Sequence, residues 1–168
     1  LYGKRKLAEL LKALCRVDGI EWIRLHYAYP ASFPRDVIEV MRDEPKICKY
    51  LDIPLQHISD NQLRSMKRSI DKAGTVKLIA DLRAAIPDLA IRTTMLVGYP
   101  GETDADFAEL KEFVKEAKFE RLGVFTYSAE EGTYSADCLA DDVPESVKQA
   151  RADELMELQS AISYGCNE

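Results

Sequence analysis

The sequence predicts an α/β fold, a partial barrel of about four parallel strands with helices on its outer face. Predicted strands and helices alternate along the chain, with strand centres roughly 30 to 40 residues apart, as in consecutive βα units. The chain has 168 residues, 46% of them hydrophobic, which is enough for one domain with a substantial core. Four strands cannot close an eight-stranded barrel, so the sheet is expected to curl without closing.

The first half of the chain is predicted to run helix, strand, helix, strand. Leucines recur at helical spacing before Gly19, and a short β-branched and aromatic run follows it. Pro34 suits the first position of a helix, and Pro54 suits the end of a strand because proline has no N–H to donate to a sheet. The predicted elements are a helix over 5–15, a strand over 20–27, a helix from Pro34 until Pro45 and a strand over 50–56.

The second half continues the alternation. Ser59 and Gln62 predict a capping box that opens one helix, and Gly74-Thr75 is expected to separate that helix from the next. Thr103 and Asp106 predict a second capping box. The predicted elements are helices over 59–70 and 76–86, a strand over 89–97, a helix over 103–117, a strand over 122–127 and a long helix from Pro144 through Ile162.

Charge and composition exclude several classes of protein. The 23 basic and 29 acidic residues give a net charge of −6, which argues against this segment as the main nucleic-acid-binding surface. No apolar run is long enough for a membrane span, and no apolar leader is present, so we expect a cytoplasmic protein. The chain starts at Leu1 without an initiator Met, which suggests a piece of a longer protein.

The cysteines are dispersed and form no CxxC pair. With only two histidines in the chain as well, the sequence predicts no structural zinc site. We expect reduced cytosolic thiols, several of them buried. The four cysteines are Cys15, Cys48, Cys138 and Cys166.

Strand alternation places polar groups on one face of the predicted sheet, whereas a parallel sheet packed on both faces is apolar on both. Burying these groups without partners would cost several kcal/mol each. Two explanations remain open: an internal salt-bridge network, for instance Arg24 with Asp52, or a wet lumen that holds a polar ligand. The inward-facing polar residues are Arg24, His26, Asp52, Gln56, Arg92 and Thr94.

The loop after the third predicted strand is the sharpest local signal. Gly98 allows the backbone to approach a ligand or another chain closely, and Pro100-Gly101 predicts a tight turn. Thr103 then caps a helix whose N-terminus is suited to an anion. His57, at the carboxyl end of the second strand, is either a catalytic or ligand-binding group or a histidine hydrogen-bonded to nearby backbone.

Two further expectations concern packing and exposure. Trp22 and the five phenylalanines are expected in the core. The acidic segment 137–142 is expected to be a solvated loop.

Three long segments, in the same order, resemble the radical-SAM methylthiotransferases. They are Glu21–Pro30, Leu51–Asp60 and Ile91–Thr103, and the resemblance extends from the first residues to about Ser163. It is closest to the RimO type, which modifies an aspartate in a small-subunit ribosomal protein. The MiaB type, which modifies a tRNA adenosine, usually carries Pro-Val-Gln-Ser-Gly-Ser where this chain has Pro-Leu-Gln-His-Ile-Ser.

The resemblance implies a six-stranded partial barrel of the radical-SAM type, of which 1–168 forms one domain with roughly the third to sixth strands. It also implies S-adenosylmethionine and 4Fe-4S clusters as cofactors, one cluster being held by a CxxxCxxC motif near the first strand. No CxxxCxxC occurs in this sequence, and the cysteines do not match the family's ligand positions. We therefore expect the chain to be inactive alone, with no catalytic residue or metal ligand of its own.

The resemblance and the inward-facing polar residues together suggest individual roles. Arg92 suits the methionyl carboxylate, because a guanidinium can bind a carboxylate through two hydrogen bonds. Gln56 and Thr94 suit ribose or carboxylate oxygens, and Gly98 suits packing on the adenosyl group. The expected cofactor-binding residues are Gln56, Arg92, Thr94, Gly98, Phe125 and Tyr127, and the expected substrate or lumen residues are Arg24, His26 and His57.

Two rival functions and a possible self-association remain open. A βα-barrel lyase or isomerase fragment would use His26 and His57 as acid–base groups on a phosphate-type ligand. A non-catalytic scaffold would bind protein through the open edge of the first strand. That unpaired edge also predicts a homodimer or a swapped strand. The expected partners are thus a small-subunit ribosomal protein and a second copy of the chain, with no membrane.

Overall fold

The computed structural model describes residues 6–166 and shows a four-stranded parallel sheet in the order β1-β2-β3-β4. The predicted α/β class with about four parallel strands is confirmed. The elements are α1 (Leu7–Cys15), β1 (Ile23–Leu25), α2 (Arg35–Asp43), β2 (Ile47–Asp52), α3 (Asp60–Ser65), α4 (Lys72–Ala85), β3 (Ala90–Val97), α5 (Asp104–Ala117), β4 (Arg121–Thr126), α6 (Tyr134–Cys138) and α7 (Glu145–Cys166).

Strand β3 shows most clearly how the sheet is built. Its residues alternate between buried and half-buried along the whole strand. Ile91 and Met95 belong to the apolar core, where each such side chain contributes about 1.5–3 kcal/mol by leaving water. Arg92 and Thr94 lie on the opposite face, which we call the inner face. The predicted split between an apolar and a polar face is therefore confirmed.

Strand β2 begins and ends earlier than the predicted 50–56. The ladder stops because Pro54 has no N–H to donate. The hydroxyl of buried Thr93 spans the gap: it donates to the carbonyl of Ile53 at 2.9 Å and accepts from the N–H of Leu55 at 3.3 Å. A side chain therefore replaces the missing part of the backbone ladder.

Gln56 rejoins the sheet after this break. It forms an isolated bridge with Met95, and its N–H donates to the carbonyl of Thr94 at 2.9 Å. Asp52 pairs with Arg92, and Gln56 pairs with Met95. Between these two pairs the chain after β2 has three residues, 53–55, whereas β3 has two, Thr93 and Thr94. This extra residue is a β-bulge. The φ of +75° at Gln56 lies in the left-handed region, which a bulge of this kind can require.

The predicted helix boundaries around α3 and α4 are wrong. Ser59 precedes α3 but makes no capping bond, because its hydroxyl donates to Asp106 instead. Helix α3 ends at Ser65, before Ile70. The side chain of Asp71 caps α4 by accepting from the N–H of Gly74 at 2.7 Å, so Gly74-Thr75 lies inside that helix.

The predicted capping box at α5 is confirmed. Thr103 Oγ1 accepts from the N–H of Asp106 at 3.2 Å, and Asp106 Oδ2 accepts from the N–H of Thr103 at 2.9 Å. The first turn of α5 already carries Asp104 and Asp106, so the expected anion at this N-terminus is supplied by the helix itself. The last helix starts directly after Pro144, as predicted.

We expect Asp106→Asn to lower the free energy of unfolding by about 1–2 kcal/mol at about pH 7. Burial raises the pKa of Asp106, but hydrogen bonds from Ser59 and Thr103 outweigh it and hold the pKa below the usual 3.8. A carboxyl with a lowered folded-state pKa stabilises the fold above its unfolded-state pKa, and this contribution is lost as pH falls through the folded-state value.

Urea denaturation between about pH 3 and about pH 7 measures this effect, and the difference between wild type and variant should shrink toward the acidic end. Asp36→Asn is the matched control, because Asp36 lies exposed in the first turn of α2, where no side chain forms a capping bond. A difference at Asp106 that stays constant with pH would contradict the hydrogen-bonded carboxylate.

The aromatic residues occupy the core only in part. Trp22 is 82% exposed and Phe125 is 61% exposed, so both were wrongly expected in the core. Phe125 lies on the inner face, which is open in the described part of the chain, and Trp22 directly precedes β1. The other phenylalanines pack in or against the core as expected: Phe33, Phe107, Phe113 and Phe119.

The described cysteines are free thiols. Cys15 is buried, Cys48 is half-buried and Cys138 is exposed, so one of these three is fully buried where several of the four were expected to be. Burial raises the pKa of the Cys15 thiol. The expectation for Cys166 lies outside the described side chains.

Two findings concern the outside of the fold. Strand β1 forms one edge of the sheet and has only three residues, which limits the backbone open to another strand. The homodimer stays a prediction.

None of the helices in the described residues combines the length and apolar character that a membrane crossing requires.

Candidate functional site

The inner face of the sheet is organised around one buried carboxylate. The side chain of Asp52 is 4% exposed, and Arg92 Nη1 donates to its Oδ1 at 2.8 Å. His26 Nδ1 lies 3.8 Å from the other oxygen, Oδ2. The hydrogen bond to Asp52 raises the pKa of Arg92. An internal salt-bridge network therefore exists on this face.

Arg24 does not pair with Asp52, contrary to the example expected from the sequence. The parallel register sets Asp52 beside Arg92 instead. The guanidinium of Arg24 lies over the ring of Tyr50, 4.7 Å from its centroid, as in a cation–π contact. The ring of His26 lies 5.9 Å from that same ring. Arg24 and His26 thus flank Tyr50 on the inner face.

The inner face has a net positive charge after the ion pair between Asp52 and Arg92 is counted. A guanidinium has five N–H donors, and Arg92 remains 40% exposed while it is bound to Asp52. Arg121 of β4 is the register partner of Arg92. Arg24, Arg92 and Arg121 against Asp52 give 3 − 1 = +2 on this face, in a chain of net charge −6. The inner face therefore suits an anionic group.

Gln56 and Thr94 lie close to this charged group. Thr94 is half-buried on the inner face, and Gln56 is bonded to its backbone through the bulge. Gln56 also lines a cavity of about 270 Å³ at the carboxyl ends of β2 and β3. Other residues that line this cavity are Ser65, Lys67, Leu96, Tyr99 and Tyr134.

The two aromatic candidates, Phe125 and Tyr127, differ in how exposed their rings are. Phe125 is the register partner of Leu96, and its ring is open to a ligand on the inner face. Tyr127 is buried, with its ring edge-on to Tyr99 at 5.1 Å between centroids. Its hydroxyl has no hydrogen-bond partner among the described residues. A cofactor role for Tyr127 stays a prediction, whereas the position of Phe125 suits one.

The backbone at Gly98 is in close contact with a side chain of helix α7. Its φ is +72°, and a Cβ there would overlap Cγ of Lys148 and lie 2.9 Å from Cβ of Lys148. Lys148 is a buried residue of α7 whose Nζ binds the Tyr127 carbonyl at 3.2 Å and Asp141 Oδ2 at 2.8 Å. The close approach expected for a ligand or another chain is thus made by helix α7.

His57 does not lie on the inner face, so the expected lumen position is wrong. Its side chain is fully buried, with Nε2 3.0 Å from Oε1 of Glu102. Its Nδ1 accepts the N–H of Ser59 at 3.0 Å, so the ring proton of neutral His57 lies on Nε2 and is donated to Glu102. The expectation of a histidine bonded to nearby backbone is confirmed. Because its side chain is buried, His57 cannot exchange a proton with a ligand in the lumen. The rival lyase or isomerase function requires that exchange.

Glu102 holds together the loop that follows β3. Its buried carboxylate accepts from the N–H of Gly98 at 2.5 Å, from His57, and from Nη1 of Arg151 at 2.7 Å. Nη2 of Arg151 binds Asp104 at 2.7 Å. Burial lowers the pKa of Arg151, but hydrogen bonding to Asp104 and the charge of Glu102 outweigh it and raise the pKa.

Sequence reasoning missed both members of this ion pair. Glu102 lies within the noted loop, yet its burial depends on Arg151, which is 49 residues away on α7. An arginine on a long helix, among other charged residues, carries no local sign of burial. The pair joins the end of β2, the loop 98–103 and α7.

The acidic segment 137–142 is more ordered than the expected solvated loop. Its first part, through Cys138, closes helix α6, which the sequence did not predict. Asp142 Oδ1 accepts from the N–H of Gly101 at 2.7 Å, and Asp141 binds Lys148. The segment therefore fastens the loop after β3 to α7, although its aspartates remain exposed.

The described residues do not form a metal site. In the part of the chain that the structure describes, no three His, Cys, Asp or Glu side chains converge to hold a metal ion. These residues therefore do not fit a 4Fe-4S cluster, which needs several thiolate ligands.

The fold matches solved structures whose sequences are distant. Coproporphyrinogen III oxidase (HemN) from Escherichia coli, described as a radical SAM enzyme, superposes with a TM-score of 0.72 at 20% identity, covering 94% of this chain and 37% of that one. The radical S-adenosylmethionine methyltransferase TsrM from Kitasatospora setae gives 0.56 at 17% identity, covering 71% and 24%. The partial parallel barrel is thus the fold of these enzymes.

The comparison of sequences also finds radical SAM proteins, at much higher identity. The chain is 64% identical over 168 residues to the ribosomal protein uS12 methylthiotransferase RimO of Flavobacterium johnsoniae, covering 100% of this chain and 38% of that protein. It is 55% identical over 163 residues to the RimO of Bacteroides thetaiotaomicron, covering 97% and 37%. The chain therefore spans less than two fifths of the length of these relatives. The family model of the Radical SAM superfamily matches residues 2–114, more than half of the chain, and the chain belongs to that superfamily.

Proposed function

We propose that this chain is part of an enzyme that adds a methylthio group to an aspartate of ribosomal protein uS12. The observation that carries the proposal is the 64% identity, along all 168 residues, to the uS12 methylthiotransferase of Flavobacterium johnsoniae. The Pro-Leu-Gln-His-Ile-Ser segment supports the protein-modifying type over the tRNA-modifying type. A ribosomal substrate places the reaction in the cytoplasm.

The inner face fits the polar groups of S-adenosylmethionine. Arg92 keeps N–H donors free for a carboxylate while Asp52 holds its guanidinium in place. The Thr94 hydroxyl and the Gln56 amide are suited to ribose or carboxylate oxygens, and the exposed ring of Phe125 is suited to adenine. The proposed role of this segment is to bind and orient the cofactor.

The radical chemistry needs a group outside the described residues. S-adenosylmethionine and a 4Fe-4S cluster would together supply the radical chemistry of the proposed reaction. Because the described residues do not fit a cluster, the proposal assigns its ligands to the rest of a longer protein. Within this chain, Asp52, Arg92 and Thr94 position the cofactor on the inner face.

We expect Arg92→Ala, in the longer protein, to weaken binding of S-adenosylmethionine by about 1–3 kcal/mol, which is roughly 5- to 150-fold in Kd. The physical reason is the loss of a charged hydrogen bond to the methionyl carboxylate. Isothermal titration calorimetry measures the change. Arg42→Ala is the control, because Arg42 is an exposed arginine that pairs with Asp43 on helix α2 and not on the inner face. Equal losses for the two variants would remove Arg92 from the site.

Modification of uS12 tests the function itself. The longer protein with its clusters reconstituted is incubated with S-adenosylmethionine, a reductant, a sulfur source, purified uS12 and tRNA, and the products are analysed by mass spectrometry. We expect one aspartate of uS12 to gain a methylthio group in place of a hydrogen. Unmodified uS12 beside modified adenosine in tRNA would favour the tRNA-modifying type and contradict the proposal.

A further inference from the structure

A second cavity lies outside the proposed cofactor site. It has a volume of about 280 Å³ and lies between α3, the loop after β3 and the segment after α6. Gln62 and Ser65 line it from α3, Gly101 from the loop, and Asp142 from the acidic segment. None of these residues has a role in the proposed binding of S-adenosylmethionine.

Gln62 is the unusual member of this cavity. It is only 1% exposed, and neither its Nε2 nor its Oε1 has a hydrogen-bond partner among the described residues. Buried polar groups are nearly always paired, because an unpaired one loses its hydration without compensation. A side-chain amide offers a donor and an acceptor side by side, which is the complement of a peptide group. Gln62 is therefore suited to bind the main chain of another polypeptide.

The cavity lies beside a second one at the carboxyl edge of the sheet, with which it shares a lining residue. Ser65 lines both this cavity and the one of about 270 Å³ that contains Gln56 and Leu96. Leu96 lies on the inner face beside Phe125. The two cavities therefore adjoin at Ser65, so a polypeptide in one of them lies next to the other.

The acidic segment that lines the Gln62 cavity through Asp142 favours a basic partner. Between Arg121 and Lys148 the sequence contains no lysine or arginine. The same stretch contains six acidic residues, all of them exposed: Glu130, Glu131, Asp137, Asp141, Asp142 and Glu145. Such a rim attracts a basic polypeptide and repels nucleic acid. Proteins that bind RNA carry clustered lysine and arginine, so a ribosomal protein has the complementary charge.

We propose that the Gln62 cavity binds a main-chain peptide group of a lysine- or arginine-rich segment of the protein substrate, beside the residue that is modified. The inference rests on the proposed function, in which the substrate is uS12. Gln62 recognises the backbone, and the acidic rim from Glu130 to Glu145 attracts the basic side chains. This is a substrate-docking site separate from the cofactor site.

Binding of fluorescently labelled uS12 to the longer protein, followed by anisotropy, tests the proposal. We expect Gln62→Met, which keeps the size of the side chain, to raise the Kd for uS12 about tenfold. The same variant should keep its affinity for S-adenosylmethionine and a melting temperature no lower than wild type, because it removes an unpaired buried amide. Gln62→Leu serves as a second variant if Gln62→Met folds poorly.

Gln159→Met is the matched control. Gln159 is also buried, but its Nε2 donates to the carbonyl of Phe119 at 2.8 Å. This variant should therefore lose stability while its Kd for uS12 stays unchanged. The double variant Glu130→Gln/Glu131→Gln should weaken uS12 binding at low salt and have little effect at high salt, where exposed charges are screened.

The possible outcomes separate this inference from the proposed function. If wild type modifies uS12 but Gln62→Met binds it within about twofold of wild type, the docking site is wrong and the proposed function stands. The docking site is also wrong if Gln159→Met weakens uS12 binding as much as Gln62→Met. If wild type does not modify uS12, both the function and the docking site are overturned.

Discussion

Replacing Glu102 with alanine is expected to lower the free energy of unfolding by about 3–5 kcal/mol, the usual cost of removing one partner of a buried ion pair. The variant leaves Arg151 buried without its main counter-charge, while His57 Nε2 and the N–H of Gly98 lose their acceptor. Chemical denaturation of wild type and variant at neutral pH measures the loss.

An exposed ion pair provides the control for Glu102. Glu154 binds Lys111 at 2.6 Å on the surface, and Glu154→Ala should cost no more than about 1 kcal/mol because water already screens the pair. The double variant Glu102→Gln/Arg151→Met should be more stable than Glu102→Ala, since it removes the buried charge as well as its partner. Equal costs for Glu102→Ala and Glu154→Ala would contradict the buried network.

Replacing Gly98 with alanine is expected to cost about 2–4 kcal/mol, because overpacking adds to an unfavourable backbone conformation. The new Cβ would overlap the side chain of Lys148, at a residue whose φ is +72°. Lys148 has little room to move, since Asp141 and the Tyr127 carbonyl hold its Nζ. Thermal and urea denaturation of the variant test the expectation.

Gly101 separates the two causes of this loss. Its φ is +77°, yet a Cβ there would meet nothing within 4 Å, so Gly101→Ala should cost only about 1 kcal/mol. Adding Lys148→Ala to Gly98→Ala should recover part of the stability, and a double-mutant cycle measures that coupling. If the two glycines cost the same, the contact with Lys148 is not what requires glycine at position 98.

Both predictions concern the same loop and therefore bear on the proposed site. Loop 98–103 follows β3 at the carboxyl edge of the sheet and is joined to α7 by Glu102, Gly98 and the acidic segment. Gln56 and Leu96 lie at that edge. Loosening this loop should also weaken binding of S-adenosylmethionine, whereas Glu154→Ala should not.

The order of strands and helices follows from the sequence because periodicity is a local property. The alternation of Ile91, Thr93 and Met95 with Arg92 and Thr94 determines which face of β3 packs on the helices. Thr103 and Asp106 determine where α5 starts, since both partners of the capping box lie within one turn. Such features depend only on neighbouring residues.

Some local signals were nonetheless overruled by contacts with distant residues. Ser59 was predicted to cap α3, but Asp106, 47 residues away, takes its hydroxyl. At Gly74-Thr75, by contrast, another local signal prevails: the cap at Asp71, three residues before Gly74, starts α4 ahead of the expected break. A capping residue binds whichever partner the fold brings closest, and the sequence does not show which one that is.

What the sequence determined by itself is the alternation of elements and the polar character of one sheet face, because both arise from side-chain periods of two and 3.6 residues. Only the tertiary structure decided the partners. Strand register set Asp52 against Arg92 rather than Arg24, and packing of α7 brought Arg151 to Glu102 and Lys148 to Gly98. These pairs join residues far apart in the chain, so their geometry exists only once the sheet and the last helix are assembled.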